Sequence, residues 1–179
     1  MRSKFFAAAA VFIGVVALSA CEAQQEQVEV EQEPAEGPTA LYDLSPESNA
    51  QFLAENAEKE GVIVRPSGLQ YRVINAGNGD PLSSPEDMAT VSYSGSLIDG
   101  TVFDETDPGE TVKFPADGLI AGWVEALSLM KEGDRWELVV PSELGYGAFG
   151  IGGFIPPNQT LVFEMELVEV GPPEPANRR

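Results

Sequence analysis

The side chains of this chain that could do chemistry are carboxylates, hydroxyls and aromatic rings. The sequence contains no histidine and a single cysteine, Cys21. The lack of histidine excludes Ser-His-Asp triads, His-ligated metals and histidine acid–base catalysis. A single cysteine excludes an internal disulfide and a Cys-cluster metal site. Any catalysis must therefore use carboxylates, hydroxyls, the backbone or the shape of a pocket, and we expect no metal and no cofactor.

The composition limits the class of protein and its partners. The 179 residues allow one domain of ordinary size plus attachments. With 43% hydrophobic and 22% charged residues, the chain can bury a core. The formal net charge of −19 repels the phosphates of nucleic acids and disfavours flat docking onto anionic lipid. We therefore expect no nucleic-acid partner.

The first residues have the features of a targeting sequence. Arg2 and Lys4 precede an apolar run from Phe5 to Leu18, and Ser19 and Ala20 are small. The run is shorter than the ~20 residues needed to span a bilayer. A basic start, a short apolar middle and small residues at a cleavage point are typical of a secretory signal peptide, which we assign to residues 1–20.

The sequence around Cys21 resembles a bacterial lipobox, because the only cysteine stands directly after Leu18-Ser19-Ala20. This resemblance implies lipidation of Cys21 and a lipid-anchored protein of the bacterial cell envelope. Glu22 after the cysteine is consistent with the outer membrane, facing the periplasm. The alternative is an ordinary signal peptide with an incidental cysteine in its cleavage region. Several acyl chains would give a stable anchor where one chain would not.

Residues 21–44 are rich in Glu, Gln, Pro and Ala, which predicts a flexible acidic tether. A short helix over residues 45–60 follows, with Ser45 as the N-cap, Pro46 in the first turn and Gly61 as the stop. Its predicted apolar face comprises Ala50, Leu53, Ala54 and Ala57. We expect this helix to pack on its own domain; the alternative is a weak homodimer through residues 45–60.

Residues 61–171 alternate between apolar and polar side chains in the manner of strands. Between Ala89 and Leu97 the alternation is nearly perfect, which predicts a strand with one buried and one wet face. Further strands are predicted near Leu69–Val73 and at Val112–Phe114, Arg135–Pro141 and Thr160–Val170. Helical spacing from Ile120 to Leu127 predicts one helix between them. The sequence indicates an α+β fold with this helix laid across an antiparallel sheet. Residues 172–179 are predicted to form a loose tail.

Several motifs in residues 61–171 resemble those of FKBP-type peptidyl-prolyl cis-trans isomerases, and they occur in the family's order. Two further segments, around Phe52-Leu53-Ala54-Glu55-Asn56-Ala57 and Ser67-Gly68-Leu69-Gln70-Tyr71, are similar to the macrophage-infectivity-potentiator branch. The resemblance implies a curved antiparallel sheet wrapped over one central helix, and catalysis at X-Pro bonds of envelope or secreted proteins. The family motifs are Val91-Ser92-Tyr93-Ser94-Gly95, Gly100-Thr101-Val102-Phe103-Asp104, Gly118-Leu119-Ile120-Ala121-Gly122-Trp123, Met130-Lys131-Glu132-Gly133, Gly145-Tyr146-Gly147, Ile155-Pro156-Pro157-Asn158 and Leu161-Val162-Phe163-Glu164.

The resemblance also implies a site, carried over position by position. Trp123 would be the floor under the proline ring, while the N–H of Ile120 and the hydroxyl of Tyr146 would bond substrate carbonyls. Val112 stands where the best-known small member of the family has an aromatic side chain, which would make that wall shallower. The implied catalytic residues are Tyr93, Phe103, Asp104, Ile120, Trp123, Tyr146 and Phe163, and the implied substrate-binding residues are Val112, Leu119, Phe154 and Ile155.

A second class of function stays open at this point. A holdase or chaperone-like binding module could hold proline-containing or apolar segments without useful turnover. The sequence favours the enzyme, because most positions of the implied wall keep the residue types of the family. A protease-coupled proline-peptide assay discriminates between the two.

Overall fold

The computed structural model describes residues 42–173. The signal peptide, Cys21, nearly all of the tether and residues 174–179 lie outside these residues. The described chain begins with helix α1 (Pro46–Ala57), whose N-cap is Ser45. The Ser45 hydroxyl accepts a hydrogen bond from the N–H of Ser48, as expected for a cap that satisfies a free backbone donor.

Within residues 42–173, seven strands form one antiparallel sheet: β1 (Val62–Val64), β2 (Gln70–Asn75), β3 (Met88–Leu97), β4 (Val102–Glu105), β5 (Val112–Pro115), β6 (Arg135–Val140) and β7 (Leu161–Gly171). The long strand β3 pairs with β7 along its length, with β5 at its start and with β4 at its end. The order across the sheet is β1-β2-β6-β7-β3-β4, with β5 paired to β3.

A single helix of the domain, α2 (Ala121–Leu127), packs into the core on one side of this sheet. Trp123, Ala126 and Leu127 of α2 belong to the same buried cluster as Val91 of β3 and Leu138 of β6. An antiparallel sheet that buries one face needs such a cover. The predicted α+β class, with one helix inside the domain, is confirmed.

The alternation predicted for β3 is also confirmed. Ala89, Val91 and Leu97 are buried, while Thr90 and Ser92 on the opposite face are partly exposed. Strands β2, β5, β6 and β7 lie where the sequence places them, within one or two residues of the predicted ends. The four-residue strand β4 was not predicted.

The apolar face predicted for α1 is wrong. Ala50 and Ala54 are exposed, whereas the buried side chains of the helix are Asn49 and Asn56. The buried face keeps the helical spacing but is rotated by one residue, because amide side chains and not methyl groups make the contacts to the domain. The helix does pack on its own domain.

Within residues 42–173 there is no helix that combines the length and the apolar character needed to cross a membrane.

Candidate active site

Strands β3 and β4 bring together Tyr93 and Asp104. The antiparallel register of the two strands sets Gly95 opposite Asp104, so Tyr93 lies two residues further along the same face. The Tyr93 hydroxyl donates a hydrogen bond of 2.6 Å to a carboxylate oxygen of Asp104. This bond orients the tyrosine ring and leaves the carboxylate at the rim, where it is exposed.

Helix α2 supplies the floor of the site. Trp123 lies in its first turn, with the N-cap Ile120 beside it. The carbonyl of Ile120 accepts hydrogen bonds from the N–H groups of Trp123 and Val124. Within residues 42–173 the N–H of Ile120 itself donates no hydrogen bond, as expected for the end of a helix. A donor is therefore available next to the tryptophan ring.

Aromatic rings surround Trp123 edge-on. Its ring centroid is 4.9 Å from that of Tyr93, 5.2 Å from that of Phe163 and 6.4 Å from that of Phe114, with interplanar angles of 79–86°. Phe103 stands perpendicular to Phe163 at 5.7 Å. Edge-to-face pairs at these distances are favourable, so the rings hold one another in place.

Gly95 allows two of these rings to approach β3. A Cβ atom at this position would lie 2.7 Å from Phe163 and 2.9 Å from Phe103. Both distances are shorter than carbon atoms tolerate. The site therefore requires glycine at position 95, because any side chain there would displace the two rings.

The rings enclose a cavity of about 190 Å³. Only 4% of the Trp123 surface is exposed, yet its ring lines this cavity and is not sealed beneath other atoms. The volume suits a single small apolar ring. The cavity is lined by Tyr93, Phe103, Asp104, Phe114, Leu119, Ile120, Trp123, Tyr146 and Phe163.

The cavity raises the pKa of both tyrosines that line it. For Tyr93 the main cause is burial, followed by the hydrogen bond to Asp104 and the charge of that carboxylate. For Tyr146 the causes are burial and the nearby charge of Asp104. Both phenols therefore stay protonated at neutral pH and can donate hydrogen bonds.

The structure brings together most of the residues implied by the sequence. Val112, Phe154 and Ile155 are not among the lining residues. Val112 and Phe154 are exposed, and Ile155 points into the core, where 3% of it is exposed. The residues brought together are Tyr93, Phe103, Asp104, Leu119, Ile120, Trp123, Tyr146 and Phe163.

Phe114 is the lining residue that sequence reasoning missed. It lies on the same face of β5 as Val112 and is paired with Ala89, which belongs to the buried face of β3. The period of the strand was therefore the signal that could have found it. Val112 is paired with Val91 and lies two residues from Phe114 along β5.

A larger concavity of about 640 Å³ lies over the wet face of β3. Its lining is mostly hydroxyl and carboxylate groups, among them Ser94, Thr106 and Glu166. It lacks the ring-lined apolar wall of the smaller cavity, so the smaller cavity is the candidate site. Between residues 42 and 173 no three Asp, Glu, Cys or His side chains are grouped closely enough to hold a metal ion.

Comparisons with known proteins agree with this geometry. Residues 80–168 match the family model described as FKBP-type peptidyl-prolyl cis-trans isomerase. Residues 7–73 match the model of the domain amino-terminal to it. The crystal structure of a peptidyl-prolyl cis-trans isomerase from Pseudomonas syringae is similar, with a TM-score of 0.65 and 36% sequence identity, and 92% of that chain is covered by 70% of this one.

The chain belongs to the FKBP-type peptidyl-prolyl cis-trans isomerase family. FkpA from Escherichia coli has the same FKBP fold, with a TM-score of 0.66 and 42% identity over 69% of this chain and 58% of that one. The predicted FKBP-like fold is therefore confirmed.

Curated FKBP-type relatives match over the same part of the chain. The FKBP-type 22 kDa peptidyl-prolyl cis-trans isomerase of Escherichia coli K12 is 54% identical over 67% of this chain and 58% of its own. The outer membrane protein MIP of Legionella longbeachae is 48% identical over 66% of this chain and 51% of its own. The predicted likeness to the macrophage-infectivity-potentiator branch is confirmed. The chain spans between half and three fifths of the length of these two relatives.

Proposed function

We propose that this chain catalyses cis/trans isomerisation of X-Pro bonds by binding them in the ring-lined cavity around Trp123. The observation that carries the proposal is that cavity, whose size, aromatic walls and single rim carboxylate fit a proline ring and its preceding amide. Membership of the FKBP family supports it. No covalent step is needed, which accords with a chain that contains no histidine.

The physical basis of catalysis is the changing polarity of the amide. Rotation about a peptide bond costs ~18–20 kcal/mol, because resonance gives the bond partial double-bond character. In the twisted transition state the resonance is lost, and the carbonyl becomes less charged. Water stabilises the planar, polar form better than the twisted one, so an apolar cavity favours the twisted form by comparison. Each ~1.4 kcal/mol of that preference is worth about tenfold in rate.

The polar groups at the rim have separate roles in this proposal. The N–H of Ile120 and the hydroxyl of Tyr146 donate to substrate carbonyls on either side of the rotating bond. The Asp104 carboxylate accepts the hydrogen bond from the Tyr93 hydroxyl and provides a polar wall. It does not act as a general base. These donors hold the flanking chain still while the bond between them turns.

A holdase function is the second candidate, and one observation favours it. Phe149 and Phe154 are 92% and 70% exposed in the loop that follows Tyr146. Exposed phenylalanines could hold apolar segments of an unfolded chain without turnover. The relatives named as isomerases favour turnover at the cavity, so we assign the loop a supporting role in contacting residues that flank the proline.

The location belongs to the same proposal. We infer lipidation at Cys21, release of residues 1–20, and a tether over residues 21–44 that holds the domain clear of the outer membrane on its periplasmic side. We also propose that the rest of the chain divides into a short helix (residues 45–60), the FKBP-like domain (residues 61–171) and a loose tail (residues 172–179). A relative named as an outer membrane protein supports this location. The substrates would then be proline-containing envelope or secreted polypeptides.

A protease-coupled proline-peptide assay on the full chain tests the activity. We expect acceleration by the wild type and a loss of more than tenfold in kcat/KM for Trp123→Ala, since the floor of the cavity is removed. Trp136→Ala is the matched control. Trp136 is also buried, but it stacks on Tyr71 at 4.3 Å and does not line the cavity.

The outcomes of this assay are distinct. Equal losses in the two variants would mean that Trp123 acts only through stability, and thermal unfolding of both would show it. Binding of apolar peptides by a wild type that does not accelerate isomerisation would support the holdase instead. If the alanine variants do not fold, Trp123→Phe and Trp136→Phe make the same comparison.

A further inference from the structure

Buried amide side chains join helix α1 to the segment that precedes β7. Asn49 is 5% exposed and Gln159 is 6% exposed. The Asn49 Nδ2 group donates to Gln159 Oε1 at 3.1 Å, and Asn49 Oδ1 accepts the backbone N–H of Thr160 at 2.7 Å. We call Asn49, Gln159 and Thr160 the amide clasp. It is the contact through which α1 holds main chain of the FKBP domain.

Every polar group of the two amide side chains in the clasp has a partner. The second Nδ2 hydrogen of Asn49 goes to the carbonyl of Ser45 at 2.9 Å. Gln159 Nε2 donates to the carbonyls of Leu44 at 3.2 Å and Pro157 at 3.0 Å. Buried amides are costly unless all their groups are paired. Because all of its polar groups are paired, the clasp holds the segment that precedes β7 in one geometry.

The clasp lies next to the segment that holds Tyr146. Asn158, directly before Gln159, has a φ of 60° and donates its N–H to the carbonyl of Gly147 at 2.8 Å. Gly147 follows Tyr146, whose ring lines the cavity. One hydrogen bond and two residues, Asn158 and Gly147, therefore separate Gln159 of the clasp from Tyr146.

A second amide pair anchors the other end of α1 without touching this segment. Asn56 Nδ2 donates to Gln70 Oε1 at 2.9 Å, and Gln70 Nε2 donates to the carbonyl of Leu53 at 2.9 Å. Asn56 is buried, like Asn49. Gln70 lies in β2 and is paired with Val139 of β6. The chain thus contains its own control for the loss of a buried helix-to-domain amide.

We propose that Asn49 is a positioning residue for the active site. It holds the main chain at Thr160, and through Asn158 and Gly147 it sets the position of Tyr146. Helix α1 thus contributes to the active site, although no residue of α1 lines the cavity. The proposal rests on the isomerase activity proposed above, and it predicts which kinetic constant changes.

Kinetics of the full-chain variants Asn49→Ala and Asn56→Ala test this proposal. Tyr146 binds the flanking carbonyl in the ground state and the transition state alike, so displacing it raises KM and leaves kcat nearly unchanged. We expect KM to rise about three- to tenfold in Asn49→Ala, the worth of one ordinary hydrogen bond. Asn56→Ala should lose comparable thermal stability and keep its KM.

A double-variant comparison separates positioning from general loosening. In the background Tyr146→Phe, the further change Asn49→Ala should leave KM unaltered, because the hydroxyl that Asn49 positions is gone. Hydrogen exchange gives a readout that does not depend on activity. Gly150 donates its N–H to the carbonyl of Tyr146 at 3.1 Å. The amides of Gly150 and Asn158 should exchange faster in Asn49→Ala than in Asn56→Ala.

Each outcome decides one question. Equal KM values and equal exchange in the two asparagine variants overturn the positioning role and leave the isomerase intact. A wild type without isomerase activity overturns the proposed function, and the exchange comparison then decides the positioning alone. If Asn49→Ala does not fold, Asn49→Leu keeps the volume of the side chain and removes both its bond to Gln159 and its bond to the N–H of Thr160. An exchange rate of its Asn158 amide equal to that of the wild type would overturn the proposal.

Discussion

At the scale of single residues, the site depends on a few polar groups set among rings. Tyr93 and Asp104 are joined by a short hydrogen bond, and both lie against an apolar cavity. In such surroundings a hydroxyl and a carboxylate orient each other more firmly than they would in water. The rim is therefore the part of the cavity where one polar atom has the largest effect.

Asp104→Leu should lower kcat/KM roughly tenfold, because the wall loses its polarity and Tyr93 loses its partner, each of ordinary hydrogen-bond worth. Proline-peptide kinetics measure the change. Glu105→Leu is the control, since Glu105 is the next residue of the same strand and is bonded to Ser94 on the other face. A similar loss in both variants would remove the specific role of Asp104.

The raised pKa of Tyr93 predicts how stability depends on pH. Its ordinary value is near 10, and the unfolded chain loses the phenolic proton there while the folded chain keeps it. The contribution of Tyr93 to the free energy of unfolding is thus complete below pH 10 and decreases above it. Urea unfolding between pH 8 and pH 11 should show this decrease, with a shallower slope in Tyr93→Phe. Identical slopes above pH 10 would contradict the assignment.

At the scale of elements, helix α2 is held against β6 by a close approach. A Cβ atom at Gly122 would lie 2.6 Å from one methyl of Val140 and 3.1 Å from the other. The approach sets the depth at which Trp123 and Ile120 meet the cavity. Packing and the proposed catalysis therefore depend on the same contact.

Gly122→Ala should destabilise the domain by about 1–3 kcal/mol through overpacking, and it should lower activity by shifting the first turn of α2. Chemical denaturation measures the first effect. Gly152→Ala, whose Cβ meets no atom within 4 Å, should be neutral or slightly stabilising. The double variant Gly122→Ala/Val140→Ala should lose less than the sum of its two single variants. Simple additivity would show that the contact is not the cause.

The elements also show how far the sequence could predict the structure. The alternation in β3 determines its buried face, because one side of an antiparallel strand must leave water. The face of α1 could not be found in this way. Asn49 and Asn56 are buried only because Gln159 and Gln70, distant in sequence, supply their hydrogen bonds.

The family motifs, and not the period of a strand or helix, implied the site residues, since Leu119 and Tyr146 lie outside the regular elements. Eight of the residues that the family motifs imply line the cavity. Phe154 and Ile155 lie in an irregular loop, where the direction of neighbouring side chains follows from the turn and not from a period. One of them is exposed and the other is in the core.

At the scale of the whole molecule, a strongly acidic chain carries a folded FKBP domain, and we propose a lipid anchor at its single cysteine, Cys21. The described part begins already attached to that domain. Tyr42 packs edge-on against Phe52 at 5.1 Å, and the carbonyl of Leu44 accepts a bond from Gln159. Residues 42–44, at the end of the proposed tether, thus make defined contacts with α1 and the domain.

Cys21→Ser should move the protein from the membrane fraction of bacterial cells to the soluble fraction, since the acyl chains are lost. Fractionation and metabolic labelling with a fatty acid measure this. Glu22→Asp keeps the cysteine and should keep the label, while moving the protein from the outer to the inner membrane. A Cys21→Ser protein that still sediments with membranes would contradict the lipid anchor.

The two tryptophans give the molecule a built-in optical assay. Trp123 and Trp136 are both buried with indole nitrogens that lack a partner within residues 42–173, but only Trp123 borders the cavity. A peptide bound in the cavity alters the fluorescence of Trp123. Trp136 is stacked on Tyr71, so its fluorescence changes when the sheet unfolds. Fluorescence from an unlabelled sample can therefore report occupancy and folding as two separate signals.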